Sequence, residues 1–254
     1  MKSIDINSDL GESFGPWKMG NDAEMLSIVS SANIACGGHA SDPETMFRTL
    51  QLAKENGVVV GAHPGFQDRE GFGRRVIPMS PSEIARMCAA QIGALVSIAS
   101  LVGTKVSYVK PHGALGNLAA RDYEVAFALA DAVKHIDKNL SYLAISGTQS
   151  ERAARDAGVP VYSEIFADRG YLPNGELVPR GEAGAMIEDA KEAADRLVLF
   201  IRNGMMPVVN GDPISLEAHS VCVHGDSPHA VAMAKEVRRR FEAEGLGIGS
   251  FLNS

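Results

Sequence analysis

The chain has 254 residues, of which 45% are hydrophobic and 22% are charged, so it has enough apolar surface for a packed core and does not resemble a disordered chain. Its net charge of −7 argues against a nucleic acid or an anionic membrane as a partner, because both are bound mainly through clustered Lys and Arg. The N-terminus lacks the apolar segment of a signal peptide, and no apolar run approaches the roughly 20 residues that span a bilayer. Three cysteines without CxxC spacing favour reduced thiols and a cytoplasmic location.

Six helices are predicted from their capping residues and from the helical spacing of their apolar positions. Asp42-Pro43-Glu44 and a capping box at Ser80 begin the first two, because short polar side chains there can accept the first free backbone N–H groups. These two helices are predicted to end at Asn56-Gly57 and at Gly103. The other four are predicted to run from Asp122 to Val133, from Thr148 or Ser150 to Gly158, from Glu182 to Asn203, and from Ser227-Pro228 to about Glu244.

Seven short apolar or β-branched runs alternate with these helices, at residues 3–9, 31–38, 57–65, 105–113, 140–146, 160–168 and 220–226. They lack a clear polar–apolar alternation, which is typical of strands buried on both faces of a parallel sheet. About seven βα units in a chain of this length predict an α/β barrel of about seven parallel strands, forming a single domain over residues 1–254. An open, doubly wound sheet is the alternative layout.

Two loops stand out from this alternation. Residues 167–184 are polar and rich in turn-forming residues, and a loop of this length after a strand is typical of a lid or binding loop. Residues 65–75 are rich in glycine, with aromatic residues and arginines. This second loop could close over an anionic ligand, or it could be an ordinary solvated loop.

Polar residues follow almost every predicted strand. The carboxyl ends of parallel strands all open on one face of a barrel, so these side chains are expected to converge on one mouth. A single histidine after a strand is more often structural, and the prediction of a shared site therefore depends on the repetition. The residues concerned are Asn7, Asp9, Glu12, His39, His63, Lys110, His112, Asp168, Arg169, His224 and Asp226.

Two kinds of chemistry fit such a mouth. In the first, the histidines and carboxylates act as general acids and bases, while Lys110 and Arg169 hold an anionic substrate or a developing oxyanion. In the second kind of chemistry, Asp9, His39, His63 and His112 hold a divalent ion such as Zn²⁺, which activates water.

Neither a P-loop nor a GxSxG motif is present. Cys36 has no evident base partner and is interpreted as a packed thiol.

Seven sequence motifs, spread in order over nearly the whole chain, resemble those of the LamB/YcsF family. They are NSDLGESFG from Asn7, NIACGGHASDP from Asn33, GAHPGFQDREGFGRR from Gly61, VKPHGAL from Val109, EIFADRGY from Glu164, LVPR from Leu177 and CVHGD from Cys222. One departure is Gly170, where the family motif leads us to expect Ala. The resemblance implies a distorted (β/α) barrel of the glycoside hydrolase/deacetylase type. It also implies the A subunit of an ATP-dependent 5-oxoprolinase, which opens 5-oxo-L-proline to L-glutamate with two partner subunits, B and C.

The roles of individual residues are hypotheses from the strand-end pattern. The predicted catalytic residues are Asp9, Glu12, His63, Lys110, His112 and Asp168. The predicted substrate-binding residues are Asn7, His39, Arg74, Arg169, His224 and Asp226. ATP is the expected cofactor, bound at an unrecognised site or shared with a partner chain, and a divalent metal, Mg or Zn, is a second candidate. A homo-oligomer is also compatible with the sequence.

Two other functions fit the same residues. One is a metal-dependent deacetylase or amidohydrolase that acts without ATP. The other is a non-catalytic subunit that binds the substrate and delivers it to partner chains. The density of titratable groups at the predicted mouth favours an enzyme over a carrier.

Overall fold

The computed structural model describes residues 3–225 and 229–253. In chain order, the strands are β1 (Ser3–Leu10), β2 (Ser31–Ala35), β3 (Val59–His63), β4 (Val106–Val109), β5 (Ser141–Ile145), β6 (Val161–Phe166), β7 (Met205–Met206), β8 (Ile214–Ser215), β9 (Ser220–Cys222) and β10 (Gly247–Ile248). The helices are α1 (Asp22–Leu26), α2 (Pro43–Glu55), α3 (Pro81–Val102), α4 (Gly113–Arg121), α5 (Tyr123–Ile136), α6 (Gln149–Ala157), α7 (Ala190–Asn203) and α8 (Ala230–Ala243). A short 3₁₀ turn follows at Phe251–Asn253.

Seven of the strands form a closed parallel barrel in the order β1-β2-β3-β4-β5-β6-β9. The last of them, β9, pairs with β6 on one side and with β1 on the other, which closes the sheet on itself. All seven lie within or overlap the runs expected from the sequence. The closure confirms the barrel prediction and excludes the open, doubly wound sheet. The short strands β7 and β8 form a separate antiparallel ribbon, and β10 pairs with the start of β1.

The helix boundaries follow the predicted caps with one clear exception. Asp42 accepts the N–H groups of Glu44 and Thr45 at the start of α2, and the capping box at Ser80 is present at the start of α3. The prediction that a helix starts at Glu182 is wrong, because α7 begins only at Ala190. Residues 182–189 instead pair back with the segment after β6. The helix predicted from Ser227-Pro228 is α8, and those two residues lie outside the described ranges.

Two helices were not expected. The short α1 lies between β1 and β2, where Asn21 caps it, and α4 begins immediately after His112. The first residue of α4, Gly113, has a positive φ of 49°, and no side chain caps the helix. A helix that starts without a side-chain cap and contains two glycines has little local signal in its sequence.

Polar side chains of β1 line the interior of the barrel. The expectation that the strands lack an alternation of polar and apolar residues is therefore wrong for β1. Asp5, Asn7 and Asp9 all face the barrel interior, where they bond with side chains of other strands. Ile4 and Ile6 belong to the apolar core instead. The polar–apolar period of two is therefore present in β1, although both faces of the strand are buried.

An aromatic cluster closes the amino-terminal end of the barrel. Phe251 of the 3₁₀ turn packs against Tyr108 and Tyr162, with ring centroids 5.0 and 4.9 Å apart, respectively. Leu143 of β5 completes this cluster, which is separate from the main core. The opposite end of the barrel, where the strands have their carboxyl ends, is left for a site.

The expectation that no apolar run approaches the length of a membrane span is wrong for helix α3. By length and composition alone, its 22 residues are long and apolar enough to cross a membrane. In the structure, it packs against α2 and α5, and 39% of its most apolar window is buried.

We expect Gly61→Ala to destabilise the barrel. Gly61 of β3 faces the ring of Tyr108 on the adjacent strand, and an added Cβ would overlap that ring. Overpacking of this kind costs about 1–3 kcal/mol of unfolding free energy. Urea unfolding followed by circular dichroism measures the loss. Gly93→Ala on α3 is the matched control, because nothing lies within 4 Å of its added Cβ. An unchanged midpoint for Gly61→Ala would show that the ring moves aside at no cost.

Candidate active site at the carboxyl ends of the strands

A cavity of about 310 Å³ lies at the carboxyl ends of the barrel strands. Its upper wall comes from the long loop after β6, through Leu177, Pro179 and Arg180. The structure therefore brings most of the predicted side chains to one place. The predicted site residues that line the cavity are Asp9, His63, Arg74, Lys110, His112, Arg169 and His224.

A buried cluster of one carboxylate and three histidines adjoins the cavity, and it consists of Glu12, His39, His63 and His112. One potential ligand atom from each residue lies within 4.8 Å of the others. Glu12 Oε1 is 3.1 Å from His39 Nε2 and 3.6 Å from His112 Nδ1. The His39 and His112 rings are stacked with their centroids 3.6 Å apart, and the His63 ring stands edge-on to both.

Glu12 takes the place in this cluster that the sequence interpretation gave to Asp9. The Oδ1 atom of Asp9 approaches His63 Nε2 at 3.4 Å but also lies 3.1 Å from the ammonium of Lys110. Glu12 follows β1 after Gly11, whose φ of 68° turns the chain back over the barrel mouth. The candidate ligand set that the structure brings together is therefore three histidines and Glu12, whereas the sequence interpretation had Asp9 in the place of Glu12. That a metal is bound there stays a prediction.

Backbone carbonyl groups determine the tautomers of two histidines. His63 Nδ1 lies 2.6 Å from the Lys110 carbonyl oxygen, and His112 Nε2 lies 2.8 Å from the Phe72 carbonyl oxygen. A carbonyl oxygen only accepts, so each of these ring nitrogens carries a proton. In the neutral rings, His63 Nε2 and His112 Nδ1 are then lone pairs, and they face each other at 3.0 Å. Two facing lone pairs next to a carboxylate form an arrangement that a shared cation stabilises.

The histidine cluster favours neutral rings. Burial lowers the pKa of His39 and of His112 well below the ordinary value, and the neighbouring histidines lower it further. Neutral imidazole is the form that binds a metal ion or accepts a proton. In addition, His39 Nδ1 is buried and has no hydrogen-bond partner within residues 3–225 and 229–253. The donor set of neutral imidazoles and a carboxylate fits a divalent ion.

The thiol of Cys36 packs behind the cluster, as the sequence indicated. Its Sγ atom accepts the backbone N–H of His63 at 3.2 Å, and burial raises the pKa of the thiol. The residue is therefore a neutral thiol that supports the backbone at the end of β3.

The ammonium group of Lys110 lies at the centre of a second buried cluster. It is 3.1 Å from Asp9 Oδ1, 3.0 Å from Glu164 Oε2 and 3.0 Å from Cys222 Sγ. Burial opposes the charge of Lys110, but Asp9, Cys222 and Glu164 raise its pKa well above the ordinary value. Burial also opposes the ionisation of Asp9, but His63 and Lys110 hold its pKa well below the ordinary range. Lys110 and Asp9 are thus a buried ion pair at the base of the cavity.

Asn7 lies below this ion pair and does not line the cavity. Its Nδ2 donates to Ser220 Oγ at 2.6 Å, and its Oδ1 accepts from Asn33 Nδ2 at 2.7 Å. Its Oδ1 is also 3.3 Å from the ammonium of Lys110. The structure therefore places Asn7 as a support for the lysine, whereas the sequence interpretation expected it to bind substrate.

Two buried carboxyl groups inside the barrel resist ionisation. Burial raises the pKa of Asp5 to about 6, although it accepts hydrogen bonds from Ser30, Ser31 and Ser220. Burial also raises the pKa of Glu164, despite the adjacent Lys110. The hydrogen-bonded side chains extend without a break from Asp5 through Ser220 and Asn7 to Lys110.

Asp168 and His224 form a hydrogen-bonded pair on the other side of the cavity. His224 Nδ1 is 2.9 Å from both carboxylate oxygens of Asp168, and its ring stacks on Phe166. Burial would raise the pKa of Asp168, but His224, Arg180 and Arg169 bring it below the ordinary value. An ionised carboxylate that orients a histidine is an arrangement suited to proton transfer. Asp226 lies outside the described residues.

The two predicted substrate-binding arginines differ in their surroundings. Arg74 is exposed, lines the cavity and has its guanidinium 5.0 Å from the Phe72 ring centroid. Arg169 is buried, and its guanidinium donates to the carbonyl oxygens of Val178 at 2.6 Å and Ala185 at 3.2 Å. Arg169 therefore holds the loop after β6 in place in addition to lining the cavity.

Four residues of the site were not singled out in the sequence. Glu164 and Cys222 face Lys110 from β6 and β9, Asn33 supports Asp9, and Arg180 lines the cavity from the loop after β6. Glu164 is the one charged residue in an otherwise uncharged strand, and that was an available signal. The role of Cys222 depends on the closure of the barrel, which no local pattern reveals.

This combination of fold and site defines a (β/α) barrel protein with a histidine–carboxylate centre at the strand ends. The sequence model of the LamB/YcsF family matches residues 4–254, and the chain belongs to that family. A relative from Agrobacterium fabrum, a 5-oxoprolinase A subunit, is 52% identical over 251 residues, which cover 99% of this chain and 98% of the relative.

Solved structures share the fold. The lactam utilization protein from Thermus thermophilus superposes with a TM-score of 0.92 at 41% identity, covering 98% of this chain and 99% of that chain. The catalytic domain of a peptidoglycan N-acetylglucosamine deacetylase from Eubacterium rectale has a TM-score of 0.52 at 8% identity, covering 98% of this chain and 88% of that chain. The second likeness concerns the fold alone, and it agrees with the expected deacetylase-like barrel.

We expect Lys110→Met to destabilise the fold strongly, because it leaves two buried carboxyl groups without their cation. Removing one partner of a buried ion pair costs about 3–5 kcal/mol of unfolding free energy. Lys191→Met is the matched control, since Lys191 pairs with Asp195 on the surface, where a pair contributes about 1 kcal/mol or less. Urea unfolding at neutral pH measures both losses.

The loss caused by Lys110→Met should depend on pH. Without the ammonium, the folded-state pKa of Glu164 rises further above its unfolded value, so folding becomes more favourable as the pH falls and the group binds a proton. The difference between variant and wild type should therefore be smaller at pH 5 than at pH 8. A difference that is equal at both pH values would contradict the ion-pair interpretation.

Proposed function

We propose that the chain is the ring-opening component of an ATP-dependent 5-oxoprolinase, which converts 5-oxo-L-proline to L-glutamate. One observation carries the proposal: the histidine–carboxylate cluster, the Lys110 ammonium and the Asp168–His224 pair all adjoin a single small cavity. The names of the similar proteins, lactam utilization protein and 5-oxoprolinase A subunit, support it. The second name also supports an assembly with partner chains, which we take to be the B and C subunits.

The chemistry of the lactam ring explains why its hydrolysis would be coupled to ATP. Hydrolysis of an unstrained five-membered lactam is close to thermoneutral or uphill, and phosphorylation of the amide oxygen makes its carbon electrophilic. Water then adds to that carbon, the C–N bond breaks and the nitrogen takes up a proton. The resulting acyl phosphate reacts with a second water to give L-glutamate and phosphate. Because this chain has no P-loop, we assign the ATP-binding step to the partner chains.

The residues of the site have roles that match these steps. The lone pairs of His63 and His112, with Glu12, hold the attacking water and accept its proton. The Lys110 ammonium, fixed by Asp9, stabilises the negative charge of the phosphoryl group that the lactam oxygen carries. On the far wall, the Asp168–His224 pair supplies the proton that the ring nitrogen needs when the C–N bond breaks.

A divalent metal ion fits Glu12, His39, His63 and His112, and their nitrogen and oxygen donors suit zinc. When bound, such an ion lowers the pKa of a water molecule and polarises a carbonyl oxygen. The Lys110 and Phe72 carbonyl groups already hold two of the histidines in the tautomers that present lone pairs to it.

An ATP-independent deacetylase or amidohydrolase is the second candidate. The converging histidine–carboxylate cluster favours it, since such a cluster can activate water without a nucleotide. The two functions differ in their need for ATP and partner chains. We also propose a cytoplasmic location, which is consistent with three buried free cysteines.

Turnover of 5-oxoproline by the chain, alone and with the B and C subunits, tests the function. We expect glutamate formation and ATP hydrolysis only in the assembled enzyme. His63→Ala and His112→Ala should each lower kcat by at least about 100-fold, the usual effect of losing a general base. His135→Ala is the control, because its side chain is 75% exposed on α5. Glutamate formation by the chain alone without ATP, or full activity of both variants, would refute the proposal.

Metal content tests the ligand set. We expect about one zinc or similar ion per purified chain by elemental analysis, and a marked loss of that ion in Glu12→Gln and His112→Ala. Dialysis against a chelator should lower the thermal midpoint of the wild-type chain and leave those variants unaffected. Asp9→Asn serves as the comparison, because the structure places Asp9 on Lys110. Retention of the ion in both ligand variants would remove the metal from the proposal.

A further inference from the structure

We infer that Arg74 and Arg180 form an anion-binding subsite at the outer end of the cavity, specific for a phosphoryl or carboxylate group of the substrate. The inference rests on the proposed function and names the part of the substrate that this end of the cavity takes. The two side chains come from different loops, Arg74 from the loop after β3 and Arg180 from the loop after β6. Both line the same cavity as Lys110, His63 and His112.

The loop that carries Arg180 is held in a defined position. Buried Arg169 donates to the carbonyl oxygens of Val178 and Ala185, which flank Arg180 in the sequence. The N–H of Val178 also donates to the Gly170 carbonyl oxygen at 3.0 Å, and Gly170 donates to the Ala185 carbonyl oxygen at 3.0 Å. Arg180 is thus presented to the cavity by a braced loop, and Arg169 is its positioning residue.

Three arginines line one cavity of about 310 Å³ in a chain whose net charge is −7. Burial lowers the pKa of Arg169 to about 10, and the adjacent positive charges of Arg180 and Arg74 lower it further against the opposing effect of Asp168. An anion placed among like charges relieves their repulsion, and a guanidinium binds carboxylate or phosphoryl oxygens in a bidentate manner.

The size of the cavity limits the ligand. Its volume is at the lower end of the range of about 300–1,000 Å³ that is typical of ligand pockets. A single five-membered ring with a carboxylate, or with an added phosphoryl group, is of that scale. The lactam carbon would lie near the histidines while an anionic group of the same molecule reaches the arginines.

Binding to the isolated full-length chain tests the subsite. Calorimetry would use inorganic phosphate, 5-oxo-L-proline and 2-pyrrolidinone, the last being the same lactam ring without a carboxylate. We expect Arg180→Gln and Arg74→Gln to weaken anion binding by about tenfold or more, and Arg180→Lys to restore part of it. Arg152→Gln is the control, because Arg152 is an exposed residue of α6 that pairs with Asp156.

The ligand series identifies the anionic group. Selective loss of phosphate binding in the variants assigns the subsite to a phosphoryl group. Loss of the preference for 5-oxo-L-proline over 2-pyrrolidinone assigns it to the carboxylate. Wild-type affinity for both anions in Arg74→Gln and Arg180→Gln, or no binding of either anion to the wild-type chain, would overturn the inference.

Activity of the assembled enzyme separates this inference from the proposed function. If wild-type chain with its partners turns over 5-oxoproline, Arg180→Gln should raise KM more than it lowers kcat, with an unchanged thermal midpoint. An active wild-type enzyme with an unaltered KM in the variant would refute the subsite alone. An inactive wild-type assembly would refute the proposed function, while the binding measurements would still decide the subsite.

Discussion

A protonated lysine buried inside the barrel is the constraint on which the rest of the site depends. Lys110 follows β4, and its ammonium contacts Asp9 on β1, Glu164 on β6 and Cys222 on β9. A charge in a low-dielectric interior is tolerated only where partners surround it, so the lysine requires these strands to hold their register. The strand β9, which closes the barrel, also supplies one of the lysine contacts. The contacts that close the barrel and those that surround the lysine thus share the strand β9.

The lysine also divides the mouth into two sides with different protonation. On one side, burial and mutual repulsion keep His39 and His112 neutral, and carbonyl groups aim the lone pairs of His63 and His112 at a common point. On the other side, an ionised Asp168 faces His224. The two sides of the cavity therefore differ in charge, with neutral histidines on one side and an ionised carboxylate paired with a histidine on the other.

The sequence predicted the seven barrel strands and the convergence of their polar ends, because both follow from local patterns repeated along the chain. It predicted less about which side chains contact each other inside the barrel. Which carboxylate joins the three histidines depends on the turn at Gly11, which carries Glu12 over the mouth, while the register of β1 directs Asp9 to Lys110. The late start of α7 has the same cause: Ile187 donates to the Asp168 carbonyl oxygen, a tertiary bond that overrides helical propensity. Contacts of this kind join distant parts of the chain, so a window of sequence does not contain them.

Gly170, where the resemblance to the family led us to expect alanine, fits the geometry of the loop over the cavity. A Cβ at this position would collide with the carbonyl oxygen of Gly184, on the returning arm of the same loop. The backbone of Gly170 bonds with both Val178 and Ala185, so it joins the two arms between which Arg180 lies. Glycine therefore permits the two arms to approach closely, and the two preceding residues, Asp168 and Arg169, keep their positions. Glycine at this position thus shapes the wall of the cavity and leaves the hydrogen-bonded Asp168–His224 pair untouched.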